Sequence, residues 1–279
     1  MIRPQEIRDM ALQKKVPPHS VEKDYVLSWF IAALFRHPRT QTWRFKGGTC
    51  LKKCYFEDYR FSEDLDYSAT DTRVPTMREL EAICMDLSSW IYDHSGIEVA
   101  ANRQKIEILP NEHGRTTVQV RLYYKGPISP VSHQQWPRVK LDVTYGECLT
   151  DTPLIKKIYH PYSDARSVDL SARSYSFSEL FAEKLRALLE RFRPRDVYDV
   201  VHCFERTNPQ DVQRIFEQFD NKCASKKVPL QGIEHLFQQL KAAKPFWEEQ
   251  LSHQIGDLLP FEIYAQKLET YLERHKTFF

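Results

Sequence analysis

The feature that most constrains this chain is a change of hydrophobic period. Before about residue 175 the apolar residues alternate in short runs: "RFSEDLDYSA", "IEVAANRQKIEIL", "RTTVQVRLYYKG" and "RVKLDVTYG". A period of two puts alternate side chains on opposite faces and predicts strands. From Ser178 onward the apolar spacing is helical, in "SELFAEKLRALLERF", "RDVYDVVHCFER", "PQDVQRIFEQFD" and "EIYAQKLETYLERHK". Strands followed by helices predict an α+β chain: a mixed sheet in the N-terminal half and helices in the C-terminal half. The expected boundaries are residues 1–175 for a sheet-bearing domain and 176–279 for a helical one.

Earlier helices are also expected. "HSVEKDYVLSWFIAALFR" reads as an amphipathic helix capped by Ser20, with Val21, Tyr25 and Trp29 on one face. "TWRFKGG" reads as a short strand ending in a glycine turn, and "TCLKKCYF" as a short helix opening at Thr49. Another helix is expected from Pro75 to about His94, with Leu80, Ile83, Leu87 and Ile91 on one side.

A net charge of +2 gives no global argument for a polyanionic partner, so any such attraction must be local. Residues 1–30 hold no apolar stretch followed by a small-residue cleavage site. No run approaches the roughly eighteen apolar residues of a membrane span. The six cysteines form no Cys-x-x-Cys pair and no zinc-finger spacing. Cys50 and Cys54 share a helix face and read as packing residues, a metal or redox role being the alternative. The expected setting is a reducing cytoplasm, with no membrane.

The chemistry concentrates in "RFKGGTCLKKCYFEDYRFSEDLDYSA", residues 44–69. The chain has only eight glycines, and two of them, Gly47 and Gly48, are adjacent here. Without side chains they let a phosphate approach backbone N–H groups at a helix start. Asp64 and Asp66 lie two apart in a strand, so both carboxylates project to one face, about 6–7 Å apart by standard rise. Two acids on one face repel unless a cation stands between them, and Mg²⁺ prefers oxygen ligands. A solvated acidic face is the alternative. Asp142, inside the apolar run "VKLDVTY", adds a third acid if its strand neighbours that of Asp64. Three acids could then hold two metal ions for phosphoryl chemistry.

In this order, "FKGGTCL", "RFSEDLDY", "VKLDV" and "EKLRALLERFRPRDVYDV" resemble the AbiEii/AbiGii toxin family, nucleotidyltransferases related to the DNA polymerase β superfamily. The resemblance extends from about Glu22 to Val200. It implies transfer of a nucleoside monophosphate from an NTP, with Mg²⁺, to an RNA acceptor that is tRNA in characterised relatives. It also implies a toxin paired with a cognate antitoxin. By the same resemblance Gly47, Gly48 and Thr49 form the phosphate-binding turn, and Asp64 and Asp66 bind metal. Asp142 is the third acid, suited to activating the acceptor hydroxyl. Ser62 hydrogen-bonds the triphosphate, Lys184 holds its phosphates, and Asp196 and Asp199 form the downstream acidic element. Many members of the wider superfamily have Gly-Ser in place of Gly47-Gly48, and a shorter spacer to the first Asp.

The residues by themselves leave other readings open. Lys184, Arg191 and Arg195 fit a basic helix face with pairs such as Glu183 with Arg186. Asp196 after Pro194 fits a helix cap. His94, His133, His202 and His253 show no ligand spacing. A metal-dependent ribonuclease could use the same acids on water, and a catalytically silent RNA- or protein-binding module is the third possibility. Acyl hydrolase and P-loop ATPase signatures are absent from the sequence.

Overall fold

In the computed structural model, residues 1–279 are described except 72, 111–114 and 166–167. The helices are α1 (Pro4–Lys14), α2 (Pro18–Arg36), α3 (Gly47–Cys54), α4 (Met77–Ser95) and α5 (Phe177–Arg191). They continue with α6 (Pro194–Phe204), α7 (Val212–Lys226), α8 (Ile233–Ala243), α9 (Trp247–Leu251) and α10 (Phe261–Arg274). The strands are β1 (Trp43–Lys46), β2 (Asp64–Ala69), β3 (Glu98–Val99), β4 (Lys105–Pro110) and β5 (Thr116–Lys125). They are completed by β6 (Arg138–Tyr145), β7 (Leu154–Lys157) and β8 (Ser171–Ser174). The expected α+β class is the one observed: every described strand lies before residue 175, and helices dominate after it.

The chain divides into two compact units. Unit 1 is Met1–Glu147 with Pro153–Tyr175, and unit 2 is Cys148–Thr152 with Ser176–Phe279. Among the described residues no helix is long and apolar enough to cross a membrane.

Unit 1 is built on an eight-stranded mixed sheet in the order β3-β5-β6-β2-β1-β8-β7, with β4 also pairing with β5. Two pairings are parallel, β2 with β6 and β1 with β8. One face is apolar: Leu65, Tyr67, Val120, Leu141 and Val143 are buried there. The alternate residues Asp64, Asp66, Lys140 and Asp142 are only half-buried on the opposite face. α2 is buried along nearly its whole length and so shows little polar face. It starts at Pro18, not at a Ser20 cap; Pro supplies the helical φ and lacks an N–H that would go unused there. The helix after Pro75 is fixed by a capping box the period alone did not signal. Glu79 N–H donates to Thr76 Oγ1 at 3.3 Å, and Thr76 N–H donates to Glu79 Oε2 at 2.8 Å.

Three further expectations need correction. The strand read from Phe61 begins at Asp64, so Ser62 precedes it. The run "IEVAANRQKIEIL" is two strands, β3 and β4, broken by a 3₁₀ turn at Ala101–Arg103. The helix expected at Thr49 begins two residues earlier, so the paired glycines form its first turn.

In unit 2, α5 packs against α6 and α7, and α6 against α10. Lys222 of α7 is buried, with its Nζ 2.6 Å from Glu179 and 3.3 Å from Glu183.

Candidate active site

The glycine pair stands at the junction of β1 and α3. Gly47 has φ +79°, a conformation L side chains rarely adopt. A Cβ on it would also run into the Asp66 carboxylate. A Cβ on Gly48 would lie 3.1 Å from both the Arg60 guanidinium and the Ser62 hydroxyl. The bare backbone is therefore enclosed by the side chains expected to handle phosphate and metal, and Arg60 joins them. The Thr49 side chain is engaged elsewhere. Its Oγ1 donates to the backbone carbonyl of Asp64 at 2.5 Å, pinning the start of β2 to α3.

The acids are assembled by strand register. In the parallel pair β2–β6, Asp66 is the partner of Asp142 and Asp64 the partner of Lys140. Partners in register point to the same face, so Asp142 joins the Asp64–Asp66 side of the sheet. Lys140 Nζ is 2.7 Å from Asp142 Oδ2. Asp142 Oδ1 is shielded from solvent and has no hydrogen-bond partner among the described residues. Burial, helped by the charge of Asp64, pushes the Asp142 carboxyl above the ordinary carboxylate value, although Lys140 opposes the shift. Burial alone would lower the Lys140 ammonium, but Asp142, Asp64 and Asp66 outweigh it and raise it.

Two further groups border the acids. Lys23, near Glu63 and Asp64, is lowered by burial against their attraction, and its ammonium donates to the Arg138 carbonyl. Lys46, the β1 partner of Asp66, pairs with Glu147, which also accepts from Ser68.

Among the described residues no three His, Cys, Asp or Glu side chains already converge as a metal cage. The Lys140 ammonium supplies the balancing charge instead. The donor set nevertheless fits a hard divalent ion. Asp64, Asp66 and Asp142 offer only oxygen, and the buried, unsatisfied Oδ1 of Asp142 is an acceptor suited to a cation.

The remaining candidates belong to unit 2. Lys184 is buried, and its Nζ donates to Asp199 Oδ2 at 2.7 Å, with Asp199 fully enclosed. Asp196 accepts from Arg191 Nε at 2.9 Å and Nη2 at 2.8 Å, and from the Arg193 N–H at 3.1 Å. The capping role is thus realised, with an arginine clamp added. The pair expected between Glu183 and Arg186 is not formed: Arg186 pairs with Glu190, and Glu183 with Lys222. Cys50 and Cys54 are buried and form no disulfide.

Lys140, Arg60, Lys23 and Glu147 went unread in the sequence. Lys140 had a signal, since it stands two residues before Asp142 and a strand sends both to one face. Lys23 and Glu147 had none, because tertiary packing alone brings them to the acids.

A mixed sheet with a glycine-opened helix beside strand carboxylates on its open face defines a nucleotidyltransferase-like unit. Residues 29–274 match the family model described as nucleotidyl transferase AbiEii toxin, type IV toxin–antitoxin system. The chain belongs to that family of nucleotidyltransferase toxins. Among solved structures it resembles MenT4, a nucleotidyltransferase toxin from Mycobacterium tuberculosis H37Rv. The TM-score is 0.65 at 18% identity, covering 97% of this chain and 88% of that one. No curated protein sequence matches it.

Proposed function

We propose that this chain transfers a nucleoside monophosphate from an NTP to an RNA acceptor, the 3′ end of a tRNA, with Mg²⁺ held by Asp64, Asp66 and Asp142. The observation that carries the reading is the register match of Asp66 with Asp142, with the Asp66 carboxylate against Gly47. The bare Gly47–Gly48 backbone, with Arg60 and Ser62 alongside, cradles the triphosphate. The two oxygens of Asp142 divide the work: the unsatisfied Oδ1 would face the ion, and Oδ2, beside Lys140, would take the proton of the attacking hydroxyl. When bound there, a divalent ion would neutralise charge on the transferred α-phosphate and on the departing pyrophosphate. Thr49 holds β2 in place against α3, which fixes the glycine turn relative to Asp64.

The family resemblance assigns Lys184 and Asp199 to the triphosphate and Asp196 to the downstream acidic element, and these roles belong to the same proposal. So do a cognate antitoxin partner and a cytoplasmic setting.

The test incubates the protein with Mg²⁺, each labelled NTP and total tRNA, and resolves the RNA on a denaturing gel. The reading expects label on lengthened tRNA, lost in Asp66→Asn. Shortened RNA would indicate a nuclease. Unlabelled, intact RNA with every NTP would overturn the reading.

A further inference from the structure

The open face of the sheet does not end at the acids. Across four strands one register row runs Asp64 (β2), Lys140 (β6), Arg121 (β5) and Lys105 (β4). All four point to the same side, because partners in register share a face. The next row outward pairs Arg138 with Tyr123, again on that side. The Arg103 guanidinium lies over the Tyr123 ring, 4.6 Å from its centroid. Lys105 and Arg138 are exposed, and Arg121 and Tyr123 half-exposed. Among the described residues Arg121 pairs with Glu107 at 3.4 Å and also acts on the Asp142 carboxyl; Arg121 and Glu107 are both solvent-accessible, so that pair holds the guanidinium weakly.

We propose that this strip is the track on which the single-stranded end of the acceptor RNA lies. Lys105, Arg121 and Arg138 meet its phosphates, and Tyr123 with Arg103 meets a base. The inference rests on the RNA-acceptor reading given above and assigns that acceptor a surface.

Three features favour this occupant. Strands lie about 4.8 Å apart, so the cations step outward from Asp64 over roughly 14 Å, the reach of a short single strand rather than a duplex face. Cations interleaved with an aromatic ring suit a sugar-phosphate backbone carrying bases. The strip also has polarity. With no cation bound, a phosphate advancing beyond Lys140 would meet Asp64, Asp66 and Asp142, which repel it. Only a chain end that carries hydroxyls instead of a terminal phosphate can complete the approach. The strip therefore favours an unphosphorylated end, and the 3′-hydroxyl is the one a transferase must extend. An acidic protein surface would satisfy the cations but would leave the aromatic pair and the approach to the acids unused.

The test uses the full chain and fluorescence anisotropy with a short labelled oligoribonucleotide, ending in either a 3′-hydroxyl or a 3′-phosphate, over a salt series. The variants are Lys105→Ala with Arg138→Ala, the charge reversal Lys105→Glu with Arg138→Glu, and Tyr123→Ala. Removing the two exposed cations should weaken binding on the order of tenfold and lower the salt slope by about 0.7 per cation. Charge reversal should weaken it further, and Tyr123→Ala should weaken it with little change in slope. The 3′-phosphate oligonucleotide should bind less tightly than the 3′-hydroxyl one. Unchanged affinity and slope in both double variants would overturn the track, even if wild-type protein labels tRNA. Equal binding of polyglutamate, insensitive to Tyr123→Ala, would also overturn it in favour of an acidic protein partner. Wild-type protein that binds RNA along the strip but labels none would retain the track and reject the transfer reading.

Discussion

Asp66 and Asp142 are register partners on two adjacent parallel strands, β2 and β6, and their carboxylates share the open face of the sheet. Strand spacing alone sets such partners about 4.8 Å apart. Like charges at that distance are unfavourable without a cation, and Lys140, 2.7 Å from Asp142 Oδ2, supplies one from the same strand. The arrangement stores acceptor capacity for a cation in a folded sheet while keeping that sheet stable without one. Gly47, whose bare backbone lies against Asp66, gives the same face an approach for phosphate.

Gly47→Ala should damage both fold and site. The new Cβ would be forced into a left-handed conformation at φ +79° and against the Asp66 carboxylate. Backbone strain of this kind costs about 1–3 kcal/mol. Urea unfolding should show that loss, and nucleotide binding should fall with it. Gly48→Ala, with contacts of 3.1 Å to the side-chain atoms of Arg60 and Ser62, should cost less stability.

The Asp142 carboxyl gives a pH signature. Burial raises its value in the folded protein above that in the unfolded chain, so the folded state holds this proton more tightly. Stability contributed here is greatest at low pH and is lost as pH rises through the raised value. In chelator, Asp142→Asn should therefore melt at a higher temperature than wild type at neutral pH, with the gap closing below about pH 4. A variant that melts lower at pH 7 would contradict the assigned strain.

Away from the acids, Lys53 Nζ lies 2.5 Å from Asp24 Oδ2, both fully buried, with Tyr162 donating to the same oxygen at 2.9 Å. This pair ties α3 to α2. Lys53→Met should destabilise the protein by about 3–5 kcal/mol, because it strips the buried Asp24 carboxylate of its hydrogen-bonded ammonium and leaves only Tyr162 and the field of Lys52. Adding Asp24→Asn should recover part of that loss in the same denaturation experiment.

Lys184 and Asp199 separate a structural part from a phosphate-binding one. Lys184→Met alone should cost about 3 kcal/mol, since it strips the enclosed Asp199 carboxylate of this ammonium. The double variant with Asp199→Asn should regain stability. A transfer defect that persists in that stable double variant is the outcome a phosphate role for Lys184 requires; full recovery of transfer would leave the pair a structural one.

How much of this was legible in the sequence depended on whether a signal was local. The alternation in "VKLDVTY" gave β6 and the direction of Asp142, because strand period is written residue by residue. That Asp142 falls opposite Asp66 is a matter of register, which no local pattern records. β8 was missed because "SARS" has no apolar alternation; it is held between β1 and β7 by backbone pairing. β7 is a short, largely exposed edge strand with little to distinguish it from a loop. Ser62 reaches Gly48 although it lies outside β2, so the strand alternation that put it on the face of the aspartates gave the right neighbourhood for a reason the backbone does not follow. Arg186 is the converse: the helix offered it both Glu183 and Glu190, and the buried Lys222 of another helix took Glu183.

The most direct test of the central claim is nucleotide transfer to tRNA by wild-type protein, Asp66→Asn and Asp142→Asn, measured side by side with labelled NTPs and Mg²⁺. The account predicts tRNA lengthened and labelled by wild type, and a loss of at least about a hundredfold in rate in each variant, as for removal of a group acting on the reacting atoms. Transfer by either variant at the wild-type rate would contradict it.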